Sequence, residues 1–228
     1  MTVRRVKPFA PIEARHDEHW SGGSVTVSAR EAQVRRGINL SYVTILYNSL
    51  EAIGSLIAGA LAGSVALIGF GIDSVIEVSS SIAAQWRLRS DADERHRVEV
   101  ELRSRRIIGW CFIALAVYIL VDSVHSLSTR EEPSKSVFGM CVLILSVIVM
   151  PLLARAKYNV AREMRSEALA ADAMQTSLCA YLSLIALVGV ALNALFGWWW
   201  ADPAAALAMT PIVAREGAEG VRARLRVE

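Results

Sequence analysis

Gly63-Ser-Val-Ala-Leu-Ile-Gly-Phe-Gly-Ile-Asp-Ser-Val-Ile-Glu-Val-Ser79 is apolar enough to cross a membrane, yet it carries two carboxylates, Asp73 and Glu77. Ionisable groups inside a bilayer are costly and point to function by default. A spacing of four residues puts the two on one helical face, about 6 Å apart along the axis. No Lys or Arg lies between Arg36 and Arg87 to pair with them along the chain. Protons and a cation from solution are the candidates for neutralising them. Carboxyls kept protonated and hydrogen-bonded to Ser or Asn are the structural alternative.

The surroundings of this stretch decide the fold class. Of 228 residues 54% are hydrophobic, and the charges gather in short blocks. Between the blocks, apolar segments run from Ile38 to Leu61, Ser64 to Leu88, Ile107 to Leu127, Val137 to Ala154, Ala168 to Phe196 and Asp202 to Ala214. Judged against the roughly 20 residues needed to span a bilayer, they predict an all-α integral membrane protein, a bundle of six transmembrane helices over residues 37–214. The sixth is the shortest, and it spans only if its helix continues through Glu216 and Glu219; a re-entrant segment is the alternative. Residues 1–36 read as a flexible N-terminal segment, and residues 215–228 as a short basic tail.

All of the 24 Lys and Arg residues except Arg130 and Lys135 fall on one side of this arrangement. By the positive-inside rule that side is cytoplasmic, so both termini are expected there. The basic excess is a topology signal, and no nucleic-acid partner is implied. Trp198, Trp199 and Trp200 fall at the expected outer boundary, where indoles anchor at headgroup depth. Cys111, Cys141 and Cys179 all lie within spans, so no disulfide framework is indicated. No apolar stretch precedes the first span, which predicts a cytoplasmic segment instead of a cleavable signal peptide. His16-Asp-Glu-His19 in that segment is either a solvated polar stretch or a loose metal site.

Depth brings more polar groups to the same level. Counting about 1.5 Å per residue, Asp73 lies roughly 12 Å and Glu77 roughly 18 Å below the outer start of the second span. Glu51 in the first span lies at about 16 Å from its outer end. In the fifth span Asp172, Gln175 and Cys179 share one helical stripe that rises about 16 Å from the inner boundary. Two carboxylates and a thiolate suit zinc, which accepts oxygen and sulfur donors in four-coordinate sites. Glutamine is a much poorer ligand, and a single intramembrane Cys also serves as a small apolar filler. Asp122 and His125 form a separate pair near the outer end of the third span, either structural or an outer metal access site.

At these residues the chain resembles the cation diffusion facilitator family of divalent-metal/proton antiporters. Gly63-Ser-Val-Ala-Leu67 through Asp73-Ser-Val-Ile-Glu77 is similar to that family's second-span motif, with Glu in the second ligand position. Ala171-Asp-Ala-Met-Gln-Thr-Ser-Leu-Cys179 is similar to the fifth-span motif, with Gln175 where the family has His and Cys179 where it has Asp. The similarity continues through Trp200-Ala-Asp-Pro203. It implies a transport site made by the second and fifth spans, and it admits a homodimer through the transmembrane helices. The family's usual cytoplasmic C-terminal domain is not expected here, which places the chain beside divergent members without it.

The function expected is transport of a divalent cation, zinc first, by proton-coupled efflux across the cell (plasma) membrane. Burial disfavours ionised carboxylates, so Asp73 and Glu77 would hold protons until a metal displaces them. The metal candidates are Asp73, Glu77, Cys179, Gln175 and Asp172, with Glu51, Asp122 and His125 as secondary ones. Cd2+, Mn2+, Fe2+ and Co2+ stay open: thiolate favours zinc or cadmium, whereas an all-carboxylate site suits manganese, iron or cobalt. The competing reading is a zinc-binding membrane subunit or sensor that does not transport. An enzyme is disfavoured, because the spans hold neither His-Glu-x-x-His nor an evident nucleophile and base.

Overall fold

A computed structural model describes residues 27–89, 94–164 and 167–222. The His16 to His19 cluster therefore lies outside the described residues. Those described form six helices: α1 Val27–Ala62, α2 Val65–Arg89, α3 Glu94–Thr129, α4 Val137–Met164, α5 Glu167–Phe196 and α6 Ala201–Val221. Five of them, α1 to α5, contain segments long and apolar enough to cross a membrane. The fold is all-helical and multi-pass, as the apolar segments predict. Helix α6 continues through Glu216 and Glu219 to Val221, the condition set by its short apolar stretch. Helix α4 also outruns its expected end at Ala154, carrying a basic segment on as helix to Met164.

The connections follow from local chemistry. Gly63 and Gly197 take positive φ values of 66° and 68° just past α1 and α5, the left-handed turn that ends helices and that glycine adopts without a Cβ clash. The Ser64 hydroxyl accepts the Leu67 N–H at 3.1 Å, and Ser136 does the same for Gly139 at 3.1 Å. These are N-caps, filling donors that the first helical turn leaves unmatched. Pro151 lies inside α4, where its missing N–H removes one rung of the ladder.

Helix α1 shows how the bundle is sided. Ser41, Thr44, Asn48, Glu51 and Ser55 recur every three or four residues and are buried, whereas Leu46, Leu50, Ile53, Ile57 and Leu61 are exposed. Polar groups inside and apolar groups outside are what a lipid environment selects. The same apolar exterior continues over Trp110, Val117 and Val121 of α3, Ile148 and Leu152 of α4, and Leu184 and Val188 of α5.

Helix α2 occupies the centre, touching α1, α3, α5 and α6, while α4 closes the other side against α1 and α5. The most extensive pairings are α1 with α2, α3 with α6, and α4 with α5. Between α3 and α6 the backbones nearly touch: a Cβ added to Gly109 would lie 2.6 Å from the Val221 nitrogen and 2.8 Å from the Gly217 carbonyl oxygen. Hydrocarbon offers no hydrophobic drive for helices to associate, so such close approach supplies the van der Waals contact that does. A centrally held α2 carries Asp73 and Glu77 into the interior.

Candidate functional site

Two polar layers fill the core between α1, α2, α4 and α5. The upper one gathers Glu51, Asp73, Glu77 and Cys179, each 4% exposed or less. Glu51 Oε2 accepts the Ser74 hydroxyl at 2.9 Å and lies 3.8 Å from the Cys179 sulfur. Asp73 and Glu77 also act electrostatically on Cys179, which makes the thiol the common neighbour of all three acids. Helical register explains this: Glu51 recurs on the buried stripe of α1, Asp73 and Glu77 are four apart on α2, and Cys179 is on the inward face of α5.

Four of the six carboxylate oxygens in this layer are left without a hydrogen-bond partner. Glu51 Oε1, Asp73 Oδ2 and both carboxylate oxygens of Glu77 are buried without a hydrogen-bond partner, as are both side-chain polar atoms of Asn48. Thr176 and Cys179 are the side chains of α5 that approach Glu77. Buried polar atoms are nearly always satisfied, so these oxygens call for protons or a cation. Among the described residues, however, no three His, Cys, Asp or Glu side chains already converge on a point where one metal ion would fit.

The lower layer is built on the opposite plan. Asp172 faces Lys157 of α4, whose ammonium lies 2.8 Å from Oδ2, and both side chains are almost wholly buried, at 1% and 0% exposed. Lys157 also donates to the Thr176 hydroxyl at 2.9 Å and the Ser81 hydroxyl at 3.4 Å. Ser81 in turn donates to Asp172 Oδ1 at 2.8 Å. The charge of Lys157 reaches Glu77 as well.

The remaining candidates divide. Gln175 is half-buried, and its Oε1 has no partner. Asp122 accepts the Tyr118 hydroxyl at 3.1 Å, whereas His125 faces Glu131 at 3.6 Å in a largely exposed setting. Those two side chains thus serve different partners, on a helix face away from the buried acids. Lys157 and Thr176 are site residues that sequence reasoning missed. By its place along the chain Lys157 reads as one of the charges that set topology. The stripe Leu143, Ser146, Met150, Ala154, Lys157, Ala161 of buried residues in α4 carries the signal that would have found it.

Asp202 solves its burial in a third way. At the start of α6 it accepts the Ser64 hydroxyl at 2.6 Å and the Ala66 N–H at 3.5 Å, and so caps α2 from outside the helix. A carboxylate at a helix N-terminus meets unpaired N–H groups and the positive end of the dipole.

A helical bundle apolar on its outside and acidic at its centre defines a polytopic membrane protein with a charged internal site. The cation efflux transmembrane domain matches residues 41–226, and the chain belongs to that family. Transmembrane protein 163 of Xenopus laevis is 30% identical over 151 residues, covering 65% of this chain and 53% of that protein. An uncharacterized transporter of Synechocystis sp. is 27% identical over 156 residues, 66% of this chain and 50% of that one. Magnetosome protein MamB of Magnetospira sp. is 27% identical over 169 residues, 72% and 57% respectively. The chain spans about half the length of these relatives.

Proposed function

We propose that this protein transports a divalent metal cation, zinc first, out across the plasma membrane in exchange for protons. Asp73 and Glu77 of α2 and Cys179 of α5 bind the ion, with Gln175 and Glu51 at the margin. The observation that carries this reading is the set of buried, unpartnered carboxylate oxygens on Glu51, Asp73 and Glu77 beside a thiol. Oxygen and sulfur donors together favour zinc.

Family membership and a relative named as a transporter support movement of metal over static binding. Exchange with protons is supported by the donor set, since metal binding to acids and a thiol releases the protons they carry. A length of about 31 Å, from 21 residues at 1.5 Å each, supports α6 as a sixth span. The distribution of basic residues supports cytoplasmic termini.

The test is zinc flux into proteoliposomes driven by an imposed pH gradient. Transport requires that flux follow the gradient and vanish in Asp73→Asn. Saturable zinc binding by the purified protein with no flux identifies the competing function, a zinc-binding subunit or sensor; Gln175 and Cys179 at the family's ligand positions are its support. Flux unchanged in Asp73→Asn removes the site assignment.

A further inference from the structure

The ammonium of Lys157 meets three oxygens, Asp172 Oδ2 at 2.8 Å, Thr176 Oγ1 at 2.9 Å and Ser81 Oγ at 3.4 Å. The two hydroxyls accept N–H bonds from Lys157, and the Asp172 carboxylate faces its ammonium as an ion pair. The hydroxyls are also spent: Ser81 donates to Asp172 Oδ1 at 2.8 Å, and Thr176 to the Asp172 carbonyl at 3.1 Å. Both hydroxyls of this group are bonded and its carboxylate faces a cation, in contrast to the acids one helical turn away. Ser81 follows Glu77 by four residues on α2, and Thr176 precedes Cys179 by three on α5.

We propose that Ser81, Asp172 and Thr176 form a second, oxygen-lined cation subsite that the chain fills permanently with its own Lys157 ammonium. Asp172 is thereby held out of the transported ion's coordination, although its position on the fifth-span stripe makes it look like a ligand. The inference rests on reading Asp73 and Glu77 as the metal-binding pair, and it assigns Lys157 a specificity role beside them. A carboxylate and two hydroxyls are hard donors of the kind that hold magnesium, calcium or manganese. Left open, they would admit another ion next to the first. A tethered ammonium occupies the place without ever being transported, and fixes the load at one metal ion per chain.

The test compares purified full-length variants with the parent by calorimetric titration of Mn2+, and separately of Zn2+. Lys157→Met should bind one Mn2+ per chain more than the parent, and Lys157→Met combined with Asp172→Asn should lose that extra ion. The double variant should keep the parent's zinc stoichiometry and its affinity within about threefold. No additional Mn2+ in Lys157→Met overturns the proposal, and so does an additional Mn2+ that survives in the double variant. Loss of zinc binding in the double variant also overturns it, since Asp172 would then be a ligand. Should Lys157→Met fail to fold, Lys157→Gln is titrated in its place, and the double variant carries the zinc arm. A parent that binds no zinc defeats the reading of Asp73 and Glu77, while the manganese difference between variant and parent still decides the subsite.

Discussion

The two buried layers hold acids of the same kind at neighbouring depths and treat them oppositely. Asp172 faces an ammonium with one oxygen and accepts a hydroxyl with the other; Glu77, one turn from Ser81 on α2, has among the described residues no cation against it at ion-pair distance and no hydrogen-bond partner on either oxygen. Low dielectric makes a complete polar network rigid and an incomplete one costly. The paired layer is therefore suited to hold α2, α4 and α5 together, and the unpaired layer to exchange ligands. Stability and transport should respond separately to changes in the two.

The sharpest way to break this division is Lys157→Met. Removing one member of a buried ion pair leaves the other charge uncompensated, at a cost of about 3–5 kcal/mol. Thermal unfolding in detergent should show a large loss, most of it recovered when Asp172→Leu removes the partner as well. A variant as stable as the parent would mean that the pair does not bind the helices together.

Asp73→Asn comes next and should fall on the other side of the division. Zinc flux should drop at least about 100-fold, the upper end of what even an indirect metal partner contributes, while the unfolding temperature stays level or rises because an unsatisfied buried acid is gone. Equal losses of stability and flux would place Asp73 in the structural layer.

These contrasts were only partly legible in the sequence. The apolar segments and the distribution of Lys and Arg made an all-helical membrane bundle readable, because lipid imposes length and composition on every span. The inward facing of Asp73, Glu77 and Cys179 was readable through register, since four-residue spacing and a shared stripe survive folding unchanged. Lys157 was not, because charges near span ends were assigned by position along the chain instead of by helical face. Arg155 is exposed two residues before it, yet Lys157 falls on the buried stripe with Met150 and Ala154. Partners on other helices are outside what periodicity on one helix conveys, so the pairing of Asp172 with Lys157 needed the packed structure.

Cys179→Ser gives a smaller and more selective effect. A thiolate ligand favours zinc over manganese, while a hydroxyl retains only oxygen chemistry. Zinc affinity should fall about tenfold, the low end of the range for altered metal partners, with manganese affinity retained. Calorimetry on both metals measures this. Equal affinities before and after would remove sulfur from the site and leave Cys179 as packing between Glu51 and the α5 backbone.

Asp202→Ala tests an acid that belongs to neither layer, and it should have the smallest effect. Its oxygens accept the Ser64 hydroxyl and the Ala66 N–H, which makes α6 the cap of α2. Ser64 still accepts from Leu67 within the same turn, so the helix start keeps part of its capping when Asp202 is gone. A lost cap costs about 1 kcal/mol, and unfolding should show a shift of that size. Zinc and manganese affinities should not change, because the contact lies at the opposite end of the α2 segment that leads to Asp73. If metal affinity falls along with stability, the α2 start positions the carboxylates, and the separation between structural and exchanging acids extends across the whole helix instead of stopping at one turn.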